Sequence, residues 1–417
     1  MKIFVISWFY MPVTTSEALV TYKLLSKSKN EYVIVSAKSN KWSYKVESKL
    51  ESKNIKQIII ETEDFDEFVE KAYEKYKELT KKEKFDAIMT RSLPPESQLV
   101  GLKIREIDKN IPWIASLADP IANNPYETSE FILKSRYKLI RNMYFNAPHF
   151  FLDKICPLIK RDNYIKLSNL NKLEKEVLKQ ADIIITPTEE QAKYIIYDEN
   201  IYANKALVVP HSYDEKLYPK NIVKEDDKFT FAFIGHSDGL RSVEPIVRAV
   251  NILKELNPDI LNKIKIRLVG NIPSYIKDMV YVYFLNDIIS VEKPCDYFES
   301  LKIMKTANCL IHIDAWFNTL KNGSIFFAAK IADYLGARKP ILGITNKDCP
   351  AGKIITTCGG VCCSNSPYDI AKNIVEIVDK KPTINEIEAQ NYNSINVAKN
   401  FDEELDRRIN KKWNRKY

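Results

Sequence analysis

Two short stretches carry residue types whose spacing suits phosphate and ribose chemistry. In the first, the apolar run Phe231–Ile234 ends at Gly235-His236-Ser237-Asp238-Gly239-Leu240-Arg241, and Ser242 stands where a helix should begin. A glycine turn between a strand and a helix exposes bare N–H groups at the helix N-terminus, which attracts anions. Arg241 adds a planar cation suited to phosphate. The plain alternative is a tight turn with a surface arginine. In the second stretch, Ser324–Pro340, Lys330 and Asp333 stand at i and i+3, on one face of a helix. A lysine there can hold a diphosphate, and the carboxylate can accept both hydroxyls of a ribose; the plain alternative is a surface ion pair. Of the four histidines, His211 and His236 fall at strand ends, whereas His149 and His312 lie in apolar surroundings that suit packing.

Other chemistry is weaker. Asp64-Phe65-Asp66 forms the D-x-D of metal-dependent transferases, but Asp64 is also a good N-cap for the amphipathic helix that follows. The seven cysteines include the run Cys358-x3-Cys362-Cys363 but no CxxC, and no histidine joins them as metal ligand. They read as reduced thiols of a cytosolic protein. Only ten glycines occur, nine of them at or after Gly235, with no GxG and no GxxxxGK. That excludes the standard dinucleotide fingerprint and the P-loop.

Positioning these residues takes two domains, as expected for 417 residues. Strands are predicted at Lys2–Ser7, Tyr32–Ala37, Ile55–Glu61, Asp86–Arg91, Pro112–Asp119, Asp182–Thr188 and Ala206–His211. Helices lie between them, the first opened by a capping box at Thr14-Thr15-Ser16-Glu17. Lys2 and the apolar Ile3–Met11 imitate a signal peptide, but no A-x-A site follows, and a buried strand is expected instead. A polar stretch from Asp214 to Lys228 reads as a linker. Alternation then restarts, with strands at Thr230–Gly235, Ile264–Gly270, Ile288–Glu292, Cys309–Asp314, Pro340–Ile344 and Gly360–Ser364, and the chain ends in helix. The predicted organisation is α/β, with two Rossmann-like doubly wound domains facing a central cleft: residues 1–213, a linker 214–228, residues 229–384 and a helical segment 385–417. No apolar run of 18 residues occurs, and the net charge of +8 is too small to imply nucleic acid.

The order of the pieces resembles retaining GT-B glycosyltransferases of the family-4 type, over nearly the whole chain. Pro112–Pro120 (PWIASLADP) is similar to that family's first-domain strand end, Ala181–Ile185 to its "aD.ii" strand, and Val208–Asp214 to its "v.PnG.D" exit. Leu310–Asp314 and Lys330–Leu335 through Lys339-Pro340 resemble its donor site. The resemblance implies a nucleotide-sugar site in the second domain at Gly235, His236, Ser237, Arg241, His312, Ala329, Lys330 and Asp333. It implies an acceptor side at Thr14, Thr15, Ser16, Asp119 and His211, and a C-terminal helix that crosses back to the first domain. Asp119, Arg241 and Lys330 would be the catalytic residues. It implies no metal, no cofactor and no protein nucleophile, the leaving phosphate taking the acceptor's proton.

Three departures stand out. Asp333 occupies the second place of the family's E-x7-E, one methylene short, and Ile325 replaces the first Glu. His236 follows the loop glycine where many members carry arginine. Thr14-Thr15-Ser16 replaces a Gly-Gly turn.

The residues and the resemblance together predict a metal-independent hexosyltransferase acting on a glycan or lipid-linked acceptor in cell-surface polysaccharide or glycolipid synthesis; the alternative is a non-catalytic GT-B sugar- or nucleotide-binding protein. Residues 131–170 carry eight basic side chains against two acidic and interleave seven aromatics. That composition suits an anionic membrane surface or a helical excursion packed on the first domain. A cytoplasmic protein, peripheral on the inner face of the plasma membrane, is expected.

Overall fold

The computed structural model describes residues 1–38, 50–126, 161–220 and 227–413. The chain divides into two compact units, Met1–Val209 with Asp402–Tyr417, and Pro210–Phe401. Each is built on one parallel sheet.

In the first unit the strands are β1 (Lys2–Ile6), β2 (Glu31–Lys38), β3 (Ile55–Glu61), β4 (Ala87–Arg91), β5 (Trp113–Ser116), β6 (Ile183–Thr186) and β7 (Ala206–Val208). They are ordered β3-β2-β1-β4-β5-β6-β7. The central strands are continuous apolar runs because helices cover both faces. Trp113 is fully buried and donates its indole N–H to Thr90 Oγ1 at 2.8 Å. A side chain at Gly101 would strike that indole, so the glycine lets the helix Ser97–Ile107 pack close.

In the second unit the strands are β8 (Phe229–His236), β9 (Ile264–Asn271), β10 (Ile289–Glu292), β11 (Cys309–Ile313), β12 (Ile341–Ile344) and β13 (Val361–Cys363), ordered β10-β9-β8-β11-β12-β13. The helix Glu244–Leu256 lays Ile246, Val247, Val250 and Leu253 on one face. The helices Tyr297–Thr306 and Ala329–Ala337 cover the other. Tyr334 fixes the latter by donating to Ile311 O at 3.2 Å and accepting from Ile234 N at 3.4 Å.

Several boundaries differ from the sequence reading. The first helix, Ser16–Leu25, is capped by Thr15, which accepts from Ala18 N. Glu17 does not complete a capping box; it is buried in an ion pair with Arg91 (2.7 Å). The units part after Val209, ahead of the expected linker at Asp214. The reason is packing: Tyr213 and Tyr218 are buried against Gly336, and Tyr218 donates to Asp333 O at 2.6 Å. The final helix, Ser394–Trp413, groups with the first unit from Asp402 on. There Asp402 accepts from Ser28 Oγ, Lys29 N and Asn30 Nδ2 at 2.6–2.8 Å. Phe131–Lys160 lies outside the described residues; from Arg161 the chain is helical to Gln180.

Candidate functional site

The C-terminal edge of the second sheet gathers the expected donor residues. β8 and β9 meet there at Gly235 and Gly270, whose backbones approach so closely that a Cβ on Gly270 would stand 1.8 Å from Gly235 O. Both take positive φ, +151° and +136°, open to glycine alone. Over this bare backbone lies Lys330, in the first turn of Ala329–Ala337. Its ammonium donates to Ile234 O at 3.4 Å and stands 5.1 Å from the Phe233 ring centroid. Any side chain at Gly235 would meet that ammonium. Ala328, the N-cap, makes no side-chain capping bond, and Ile331 N donates to Ala328 O at 2.9 Å.

Burial, then repulsion from Arg241, lowers the Lys330 pKa to about 8. Arg241 is held by Asp238, with Nη2 3.2 Å from Oδ2, while Oδ1 accepts from the Leu240 and Arg241 amides at 2.8 and 2.9 Å. The guanidinium and these N–H groups hold the Asp238 carboxyl below its ordinary range, outweighing the burial that would raise it. Asp238 thus shapes the loop on which Arg241 rides, a role the sequence reading missed. An acidic residue three places before the loop arginine was its only signal.

Other expected residues divide into contacts and supports. His236 is exposed at the end of β8, its Nε2 3.8 Å from Asp238 Oδ2. Ser237, expected to touch the donor, is buried and accepts from Val243 N at 3.1 Å, so it braces the loop. Ser242 accepts from Glu244 N, one residue outside the N-cap position of the helix it was expected to cap. His312 is 2% exposed, and neither ring nitrogen has a hydrogen-bond partner among the described residues. Burial, then the charges of Lys330 and Arg241, push its pKa far down and keep the imidazole neutral. Asp333 is buried and accepts the Tyr297 hydroxyl at 3.1 Å. Ile325 is buried.

In the first unit, Thr14, Thr15 and Ser16 lie where β1 passes into its helix, at the same sheet edge as the loop after β5 that carries Asp119. β5 stops at Ser116, three residues before Asp119. Ser92 Oγ accepts from Ala118 N at 3.1 Å and Gln191 donates to Ala118 O at 2.6 Å, fixing that loop. Buried Arg91 bridges Glu17 and Ser116 beneath it. His211 belongs to the second unit, its ring 5.4 Å from Phe327, because the chain changes units before it. Asp64 accepts from Glu67 N at 2.8 Å and caps its helix. No cluster of three metal-ligating side chains is found among the described residues.

Two parallel-sheet Rossmann-like units of seven and six strands define the GT-B fold. No family model matches the chain. HepE of Anabaena, solved with UDP and glucose, superposes with a TM-score of 0.65 at 13% identity, over 97% of this chain and 99% of that one. WaaG, a glycosyltransferase of lipopolysaccharide biosynthesis, gives 0.55 at 10%, over 95% of each. A Listeria monocytogenes protein assigned as a UDP-N-acetylglucosamine 2-epimerase gives 0.57 at 12%, over 98% and 97%. A curated relative, D-inositol 3-phosphate glycosyltransferase of Stackebrandtia nassauensis, is 22% identical over 136 residues, 29% of this chain and 31% of that protein. The match therefore spans about a third of the relative's length. One fold here carries transferases and an epimerase, so the reaction has to be argued from the site.

Proposed function

We propose that the chain is a retaining glycosyltransferase that moves a hexose from a nucleotide-sugar donor to a glycan or lipid-linked acceptor, in cell-surface polysaccharide or glycolipid synthesis. The observation that carries this reading is the Lys330 ammonium seated over the bare Gly235 backbone, with Arg241 on the adjoining loop. Two fixed cations suit a diphosphate. As the glycosidic C–O bond breaks, negative charge grows on the leaving phosphate, and these groups would stabilise it without a metal. That phosphate would take the acceptor's proton on the same face, while Asp119 positions the acceptor from the first unit. The donors and activities named for HepE, WaaG and the curated relative point the same way.

The protein would work in the cytoplasm, at the inner face of the plasma membrane, with residues 131–170 meeting anionic lipid. Each basic residue near such a surface contributes about 1 kcal/mol, screened by salt. Binding to anionic but not neutral vesicles at low salt is expected, and charge reversal at Lys134, Arg136, Lys138 and Arg141 should weaken it.

Ile325 favours one second reading, a binding protein that has lost turnover. A panel of nucleotide hexoses separates the two. Release of nucleoside diphosphate, and transfer with an unchanged anomeric coupling constant by NMR, supports the transferase. Donor binding without release supports the binding protein. No binding across the panel overturns both.

A further inference from the structure

A second pocket, of about 500 Å³, opens at the C-terminal ends of β11, β12 and β13 and reaches Leu240 of the phosphate loop. Its wall carries Trp316, which is 56% exposed. Exposure alone would mean little, since single exposed aromatics are common. What distinguishes this indole is that it is immobilised while its surface stays open. Its N–H donates to Asn318 Oδ1 at 2.9 Å. Its six-membered ring lies against Gly323, where a Cβ would stand 2.4 Å from Cε3, and Gly323 has φ +80°. The loop closes on itself through Phe317 N to Gly323 O at 2.8 Å, and Asn322 ties it to Asp348 O at 3.1 Å. Beneath lies Asp314, whose carboxylate accepts from Ala315 N, Thr345 and Cys349 and so holds the strand ends in register. Asn346, Ser364 and Asn365 line the pocket.

A rigid aromatic plane edged by amides and hydroxyls matches a ligand with one C–H face and a rim of hydroxyls. We infer that this pocket is a pyranose-binding subsite, with Trp316 as the platform on which the sugar ring stacks. Its continuity with the loop at Leu240 makes the ring that of the bound donor, a link that rests on the nucleotide-sugar reading above. A pre-organised aromatic binds with little entropy loss, which is how one side chain can set sugar affinity.

The indole N–H resonance of Trp316, assigned by its absence in Trp316→Phe, reports directly on the intact wild-type protein. Methyl glucopyranoside and methyl galactopyranoside at tens of millimolar should shift it; uridine should not. Calorimetry then compares a nucleotide hexose, found to bind in the panel, with its nucleoside diphosphate. Trp316→Ala should weaken the nucleotide sugar about tenfold and leave the nucleoside diphosphate within about twofold. No shift with either glycoside, a shift with uridine instead, or equal weakening of both nucleotides overturns the inference. If no donor binds the wild type but a glycoside shifts the indole, the subsite stands and the transferase reading falls.

Discussion

Replacing Lys330 by methionine should stabilise the protein while removing donor binding. Below pH 8 the folded protein carries a buried ammonium whose pKa has fallen from 10.5 to about 8. The folded pKa is the lower one, so this group opposes folding wherever it is charged. Stability on its account rises as pH climbs from about 8 to 10.5 and is lowest below 8. A gap of about 2.5 pH units, at about 1.4 kcal/mol each, gives an upper bound of about 3.5 kcal/mol. The residue keeps some contact with solvent, so about 1–3 kcal/mol is the expected gain. Methionine has similar length and can lie along the Phe233 ring without a charge to desolvate. At pH 7, Lys330→Met should therefore raise the unfolding midpoint of the apo protein. The same change deletes a charge-assisted bond to a diphosphate, contributing about 1.5–3 kcal/mol, and should weaken the donor at least about tenfold. In the wild type, donor affinity should fall as pH passes about 8 and the ammonium discharges; in Lys330→Met it should be flat there. Urea denaturation and calorimetry from pH 6.5 to 9.5 measure both. A variant less stable than wild type at pH 7, or one that keeps full donor affinity, would refute the placement of this lysine.

Arg241→Ala should lower turnover at least about tenfold, by the same charge-assisted argument, with little change in the melting midpoint because the side chain lies at the site's edge. Gly270→Ala puts a methyl into Gly235 O and demands a positive φ of an L-residue, so the β8–β9 edge must shift. Both stability and donor affinity should drop, and circular dichroism melts beside calorimetry would show it; a neutral variant would mean the loop is softer than its packing implies. EDTA should leave activity intact, since no metal is assigned a role. Activity that EDTA abolishes and Mn²⁺ restores would shift attention to Asp64 and Asp66.

Much of the fold was legible because buried parallel strands leave an unmistakable trace. β1, β4, β6 and β11 are mostly apolar and buried along their length, and the segments between them carry helical periodicity. Lys330 and Gly235 could be singled out because a glycine at a strand end and a lysine opening a helix are local patterns. What the sequence hid was whatever depended on contact between distant segments. That Asp333 also accepts from Tyr297, 36 positions away, could not be read from spacing. His211 looked like the end of a first-unit strand, but β7 is only three residues long and the chain has already joined the second unit. Trp316 drew no notice, because its significance lies in Gly323 and Asn318 fixing its plane, which spacing does not show.

The second unit breaks ordinary rules mainly along one edge. Gly235 and Gly270 weaken the ends of neighbouring strands, Lys330 is desolvated, and His312 is buried with neither ring nitrogen hydrogen-bonded among the described residues. Each works against stability; the close β8–β9 approach accounts for the glycines, while the other face of the sheet is closed by ordinary aliphatic contacts. Sequences tolerate such conflicts where a ligand resolves them. A diphosphate resolves one of these directly: it would neutralise Lys330, whose ammonium lies over the Gly235 backbone. A neutral sugar bound without phosphate would leave the lysine uncompensated. The pattern of strain therefore argues for an anionic ligand whose charge meets Lys330 over Gly235.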